Sequence, residues 1–210
     1  ALTFGHDAVQ RHSYTAAGYY GPQTSRFWYE TDYLYDGWLP TLHLHASDVD
    51  NTYSDFLRDN LSRRTYTERE RIAGAALILP ILKNSRQQMI TAGYRRRELS
   101  ALTDLPPWAG YAGPLPAEGA LASGRLVYLF NSSRMYALSF SPEDGRTLSL
   151  GAERYAEALG SDREFTKYTV DWHEYLDLPG KHQVLLGRFF VGASTGNPPP
   201  QGAYQLGGDS

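Results

Sequence analysis

The sequence predicts an all-β fold: an antiparallel up-and-down transmembrane β-barrel, of which this chain supplies a partial barrel of about 9–11 strands. Three observations predict it. Apolar residues recur with a period of two rather than 3.6 along most of the chain. The alternating runs are about eight to twelve residues long, against about 9–11 for a tilted spanning strand and about five or six for a soluble sandwich strand. Their polar sides mix both charge signs, as a wet lumen would, while Tyr and Trp lie near the ends of the apolar sides, as an interfacial girdle would require.

Residues 12–20 form a weaker strand with Tyr14, Ala16, Gly18 and Tyr20 on one face. Residues 25–36 alternate best, with Phe27, Tyr29, Thr31, Tyr33 and Tyr35 opposing Arg26, Trp28, Glu30, Asp32 and Asp36. Asp36-Gly37 then marks a tight turn. In 38–47, Leu42, Leu44 and Ala46 oppose Thr41, His43, His45 and Ser47. The polar stretch 49–64 reads as loop with one short helical turn allowed. Residues 65–81 read as strand, because Gly74 and Pro80 weaken the alternative of a buried helix. Residues 86–98 are a further strand, and 99–119, with Pro106, Pro107, Pro114 and Pro116, is loop.

The second half repeats the pattern. In 121–131, Ala122, Gly124, Leu126, Tyr128 and Phe130 oppose Ser123, Arg125 and Asn131. Residues 135–141 predict a strand with Tyr136, Leu138 and Phe140 on one face, closed by the turn signal Ser141-Pro142-Glu143-Asp144-Gly145. Residues 147–155 follow, with Leu148, Leu150 and Ala152 opposing Ser149, Gly151 and Glu153. In 165–178, Tyr168, Val170, Trp172 and Leu176 oppose Lys167, Thr169, Asp171, His173 and Asp177. Leu178-Pro179-Gly180-Lys181 turns the chain into 183–193, where Leu185, Phe189, Val191 and Ala193 share a face, and 195–202 is loop.

Composition narrows the function classes. The 210 residues carry a formal net charge of −3, which offers no basic field for nucleic acid. The chain contains no Cys, which excludes a disulfide framework, a zinc ribbon and a thiol nucleophile. The longest charge-free, mostly apolar stretch runs from Ile72 to Leu82, short of the roughly 18 residues of a spanning helix. The 20 Gly and 16 Tyr suit packed barrel strands and their girdles. Residues 1–210 read as a single segment of a barrel domain truncated at both ends.

Candidate chemistry is sparse. Gly192-Ala193-Ser194-Thr195-Gly196 fits the nucleophile-elbow pattern, but Pro198-Pro199-Pro200 forbids the helix that an elbow needs. His43 and His45, two apart on a strand, face the same way and can hold a metal given a third ligand; Asp171 and His173 share that spacing. The expectation is a polar, lumen-facing stripe made of Arg26, Glu30, Asp32, His43, His45, Glu153, Lys167, Asp171 and His173, with no catalytic residue, resident metal or cofactor. Glu68-Arg69-Glu70-Arg71 and Arg95-Arg96-Arg97-Glu98 are charge runs, read as solvated strand ends or as contacts to anionic headgroups.

Four local phrases, in order, resemble a known family. They are Ser139-Phe140-Ser141-Pro142-Glu143-Asp144-Gly145-Arg146, Leu159-Gly160-Ser161-Asp162, His182-Gln183-Val184-Leu185-Leu186-Gly187-Arg188 and Tyr204-Gln205-Leu206-Gly207-Gly208. Together they resemble the C-terminal barrel of the bacterial surface antigen family, the BamA-like outer-membrane assembly and secretion proteins, in the branch with a TolB-like propeller upstream. The resemblance implies a 16-stranded barrel in the bacterial outer membrane. Leu206, Gly207 and Gly208 would approach a loop whose Arg-Gly-aromatic motif lies beyond Ser210. It also implies a non-enzymatic role in inserting or translocating proteins, with outer-membrane lipid and client β-barrel or secreted proteins as partners. A weakly zipped seam would offer strand edges to a client. Two alternatives stand beside it. One is a passive pore or the barrel anchor of a surface enzyme. The other is a soluble ligand-binding barrel, which would bury Phe27, Tyr29, Leu138 and Phe140 around a closed cavity.

Overall fold

The computed structural model describes residues 1–22, 24–58, 63–83, 85–103, 116–136, 139, 141–179 and 183–200, with the backbone alone at 54–58 and 63–64. Ten strands form one antiparallel sheet in strict sequence order. They are β1 (Leu2–His6), β2 (His12–Gly21), β3 (Arg26–Tyr35), β4 (Thr41–Arg58) and β5 (Arg63–Lys83), then β6 (Arg86–Ala101), β7 (Gly119–Asn131), β8 (Gly145–Tyr155), β9 (Phe165–Asp177) and β10 (Val184–Gly196). This is the all-β, up-and-down arrangement that the alternation predicts. The sheet is open, with β1 and β10 as its edges, as a partial barrel would be.

Three stretches depart from expectation. Residues 49–64 are not a loop where described: β4 continues to Arg58 and β5 begins at Arg63. Polar side chains hold this extension by pairing across the strands. Asn51 Nδ2 donates to Glu70 at 2.5 Å, Thr52 and Thr67 hydroxyls meet at 3.2 Å, and Tyr53 donates to Glu68 at 3.1 Å. Leu2–His6 adds a strand too short for a period-two reading.

The expected strand at 135–141 is absent among its described residues. Asn131 Oδ1 accepts from both the backbone and the hydroxyl of Ser133, at 2.8 and 2.7 Å, and this local bonding ends the β7 ladder. A single bridge joins Arg134 to Asp144, and Ser139 N turns back to Tyr136 O at 3.0 Å. Leu138 and Phe140 lie outside the described residues, as do Leu206, Gly207 and Gly208 and the 104–115 part of the sequence-predicted loop at 99–119, whose ends 99–101 and 119 are strand.

The corrected hairpin also orders the connections. Those following β2, β4, β6 and β8 lie at one end of the sheet, here called the hairpin end. Among the described residues that end carries the 156–164 segment together with the β4–β5 extension. The other end has 7–11, 36–40, 84–85, 132–144 and 178–183. At that end Asp7 accepts from the His12 backbone N–H at 3.0 Å, a bond that holds its carboxyl below the ordinary value.

Close approach fixes the middle of the sheet. A Cβ on Gly93 would lie 2.8 Å from Ala76 Cβ and 2.9 Å from Ala75 O, so β5 and β6 fit there only around glycine. The buried core is small: Leu99, Leu121, Tyr155 and Phe165, with the last two rings stacked at 4.0 Å. It sits at the hairpin end, where Ala117 and Pro199 are also fully buried.

With so little interior, the exposed surface is strongly apolar. Both edges are unpaired, and along β10 Leu185, Leu186, Phe189, Phe190 and Val191 are 41 to 59% exposed. Edges of this kind template association. The chain alone is expected to aggregate in plain buffer and to become monodisperse in detergent, as read by light scattering. A monodisperse species without detergent would contradict this.

Candidate functional site

Residues directly opposed in the ladder share a face, so the register converts local alternation into two continuous surfaces. One surface is apolar. It gathers Tyr14 and Tyr20 of β2, Phe27 and Tyr29 of β3, Leu44 of β4 and Leu77 of β5, and continues through Tyr94, Leu126, Leu150, Tyr168, Trp172 and Phe189. These side chains are outward: Phe27 is 55%, Tyr29 39%, Leu126 54% and Phe189 59% exposed. An apolar sheet face of this extent exceeds what a water-facing surface ordinarily carries.

The apolar surface ends along a line near the hairpin end. On β4 it passes from Ala46 to Asp48, on β5 from Ala73 to Arg71, on β6 from Tyr94 to Arg96 and on β8 from Ala152 to Arg154. Tyr29, Tyr94 and Tyr168 border the line. Beyond it Asp48 accepts from Arg69 at 2.6 and 2.7 Å and from Arg71 at 3.3 Å.

The opposite surface is polar, and it holds most of the sequence-predicted stripe in three groups. Glu30 and Asp32 lie on β3 beside His43 and His45 on β4. Asp32 Oδ1 accepts from His43 Nε2 at 2.8 Å and from His45 Nδ1 at 2.9 Å. Glu153 lies opposite Lys167 and accepts from Arg95 at 2.8 Å and Ser123 at 2.7 Å through one oxygen. Asp171 holds Arg188 through two bonds of 3.1 and 2.9 Å, with His173 Nε2 3.1 Å away.

Arg26 departs from this grouping. It pairs with Asp50 at 3.2 Å, because the β3–β4 ladder stops at Tyr29–Asp48 and alternation no longer sets the face beyond it. Ser194 lies within β10, in extended strand and not at an elbow.

Both charge runs divide between the surfaces. Arg69 and Arg71 turn to the outer belt, while Glu68 and Glu70 are buried at 0 and 7% exposure on the polar side. Arg97 donates to Glu70 in a close charge-assisted bond. Arg96 reaches Glu98 at 3.2 Å on the outer side, and Arg95 faces Glu153. Arg95, Arg97, Glu70, Ser123 and Arg188 are thus site residues absent from the sequence-predicted stripe. For Arg95, Arg97 and Glu70 the run of consecutive charges masked the parity that places them on this face. Between the histidines and Arg95 and Arg125 lies a trough of about 230 Å³, floored by Gly74 and Gly93.

No protein-family model matches this chain, and no curated protein matches it in sequence.

The Arg97–Glu70 pair is the least exposed ion pair described, at 15 and 9% of its side chains. Glu70→Gln leaves the guanidinium uncompensated and is expected to cost about 2–3 kcal/mol, somewhat under a fully buried pair. A double-mutant cycle with Arg97→Gln, read from urea midpoints in detergent, should give a coupling of at least about 1 kcal/mol. A coupling near zero would show the pair to be solvated and structurally idle.

Proposed function

We propose that this chain is part of the wall of a bacterial outer-membrane β-barrel, and that its parent protein inserts barrel proteins into that membrane or moves proteins across it. The observation that carries the membrane reading is the one-sided apolar surface, exposed from Phe27 on β3 to Phe189 on β10 and cut off by a charged line bordered with tyrosines. Lipid on that side and water on the other satisfies both faces of a single-layer sheet. Exposure of Phe27 and Tyr29 weighs against a soluble barrel that would bury them.

Strand length fits as well. A strand tilted by about 40° needs roughly 40 Å to cross a hydrocarbon core of about 30 Å. The 21 residues of β5 reach roughly 70 Å at about 3.3 Å each. The β4–β5 hairpin therefore projects well past the bilayer, which suits the polar cross-strand pairs of Asn51, Thr52 and Tyr53. The β4–β5 extension at the hairpin end favours that end as the extracellular one.

The assembly role is supported by the ordered resemblance to BamA-like barrels and by chemistry that such a sheet offers. A strand edge presents unpaired N–H and C=O groups, and a client strand gains its ladder bonds there by β-augmentation without any covalent step. A passive pore is the second reading, favoured by the charged polar face. Cells depleted of the parent protein should lose folded outer-membrane barrels if it is an assembly factor. They should keep them if it is a pore or an anchor.

The absence of Cys allows a clean test of the membrane reading. Single cysteines at Val170 and Leu150 should resist a water-soluble maleimide in liposomes, whereas those at Thr169 and Ser149 should react. Leu150→Arg should destabilise by about 2–4 kcal/mol and Ser149→Arg by much less. Equal labelling at the four positions would remove the membrane reading.

A further inference from the structure

We propose that Glu30, Asp32 and His45, with His43 beside them, bind a divalent transition-metal ion of the zinc class. The alternation brings the groups together. Glu30 and Asp32 share a face of β3, His43 and His45 share a face of β4, and the antiparallel register sets Asp32 directly opposite His45. One ligand atom from each of Glu30, Asp32 and His45 lies within 4.8 Å of the others. Ligands held about 2.0–2.2 Å from a tetrahedral ion are roughly 3.3 Å apart. Side-chain rotation alone closes the set.

The electrostatics of the polar face single out this position. Glu70 is compensated by Arg97, Glu153 by Arg95 and Asp171 by Arg188. Glu30 and Asp32 have no guanidinium or ammonium partner among the described residues. Two carboxylates here face two imidazoles, and both imidazoles converge on the single oxygen Asp32 Oδ1. A cation between them would neutralise the carboxylates and take the lone pair of His45. His43 would keep its bond to Asp32 and orient it, as outer-shell partners of metal ligands do.

One nitrogen and two oxygen donors suit zinc and its neighbours better than calcium or magnesium, which take oxygen alone. The site is reachable, since His43, His45 and Asp32 side chains are 26 to 36% exposed and the trough beside the histidines has room for water ligands. The inference depends on the β3–β4 register and not on the assembly role proposed above.

The test is isothermal titration of the full chain in detergent micelles with zinc chloride, and with magnesium chloride as the contrast. Wild type should bind one zinc ion and no magnesium. His45→Gln and Asp32→Asn should each weaken zinc at least tenfold, while His173→Gln should leave it unchanged. Circular dichroism reports whether each variant keeps its strands, and Glu30→Gln, at an exposed position, replaces any that does not. Unchanged zinc affinity in folded Asp32→Asn, His45→Gln or Glu30→Gln would overturn the site, as would failure of folded wild type to bind zinc at millimolar concentration.

Discussion

The register of the ten-strand ladder is the constraint on which the rest of the structure depends. Each residue in a strand faces opposite to its neighbours, so a slip by one position moves every side chain of that strand to the other surface. Between β5 and β6 such a slip would carry Arg95 and Arg97 into the apolar face and bring Tyr94 among the carboxylates. The pairing is therefore held by the cost of the wrong arrangement as much as by its own hydrogen bonds. Steric detail reinforces it, because Gly93 has to meet Ala76 and the Ala75 carbonyl.

Given that register, the two surfaces solve different problems. The polar side carries charge at close quarters, and Glu70, Glu153 and Asp171 each pair with a guanidinium from another strand. Such pairs give modest net stability, since desolvation offsets attraction. They do strongly disfavour any arrangement that leaves one partner alone. The apolar side has no partner within the sheet. Its aromatic and aliphatic side chains are exposed, and on the proposed membrane reading the charged line through Asp48, Arg71, Arg96 and Arg154 would mark where lipid stops.

The strands were legible wherever one face must be greasy and the other wet, because period two then survives as a contrast between neighbours. It failed in two ways. At 50–52 Asp, Asn and Thr follow one another, so alternation has little to contrast there, and a strand extension looks like a loop. At 135–141 alternation is present, but Asn131 and Ser133 bond locally and end the ladder first. The stripe from Glu30 to His173 was readable from parity alone. Arg95, Arg97 and Glu70 were not, because consecutive charges suggest bulk solvent until parity sends them to opposite sides.

The same logic bears on how a wall of this kind acts. Among the described residues the interior is too small to hold the sheet by burial: Leu99, Leu121, Tyr155 and Phe165 gather at one end. Cohesion must come from the ladder itself and from the medium on the apolar side. A ladder is a linear structure, strong along its length and weak where it ends, and β1 and β10 are such ends. Closure by further strands would satisfy them, and so would a strand from another chain, with the same backbone chemistry. On the assembly role proposed above, such an edge would act on a partner β-strand by backbone pairing alone, at a seam whose own pairing is weaker than the pairing it offers.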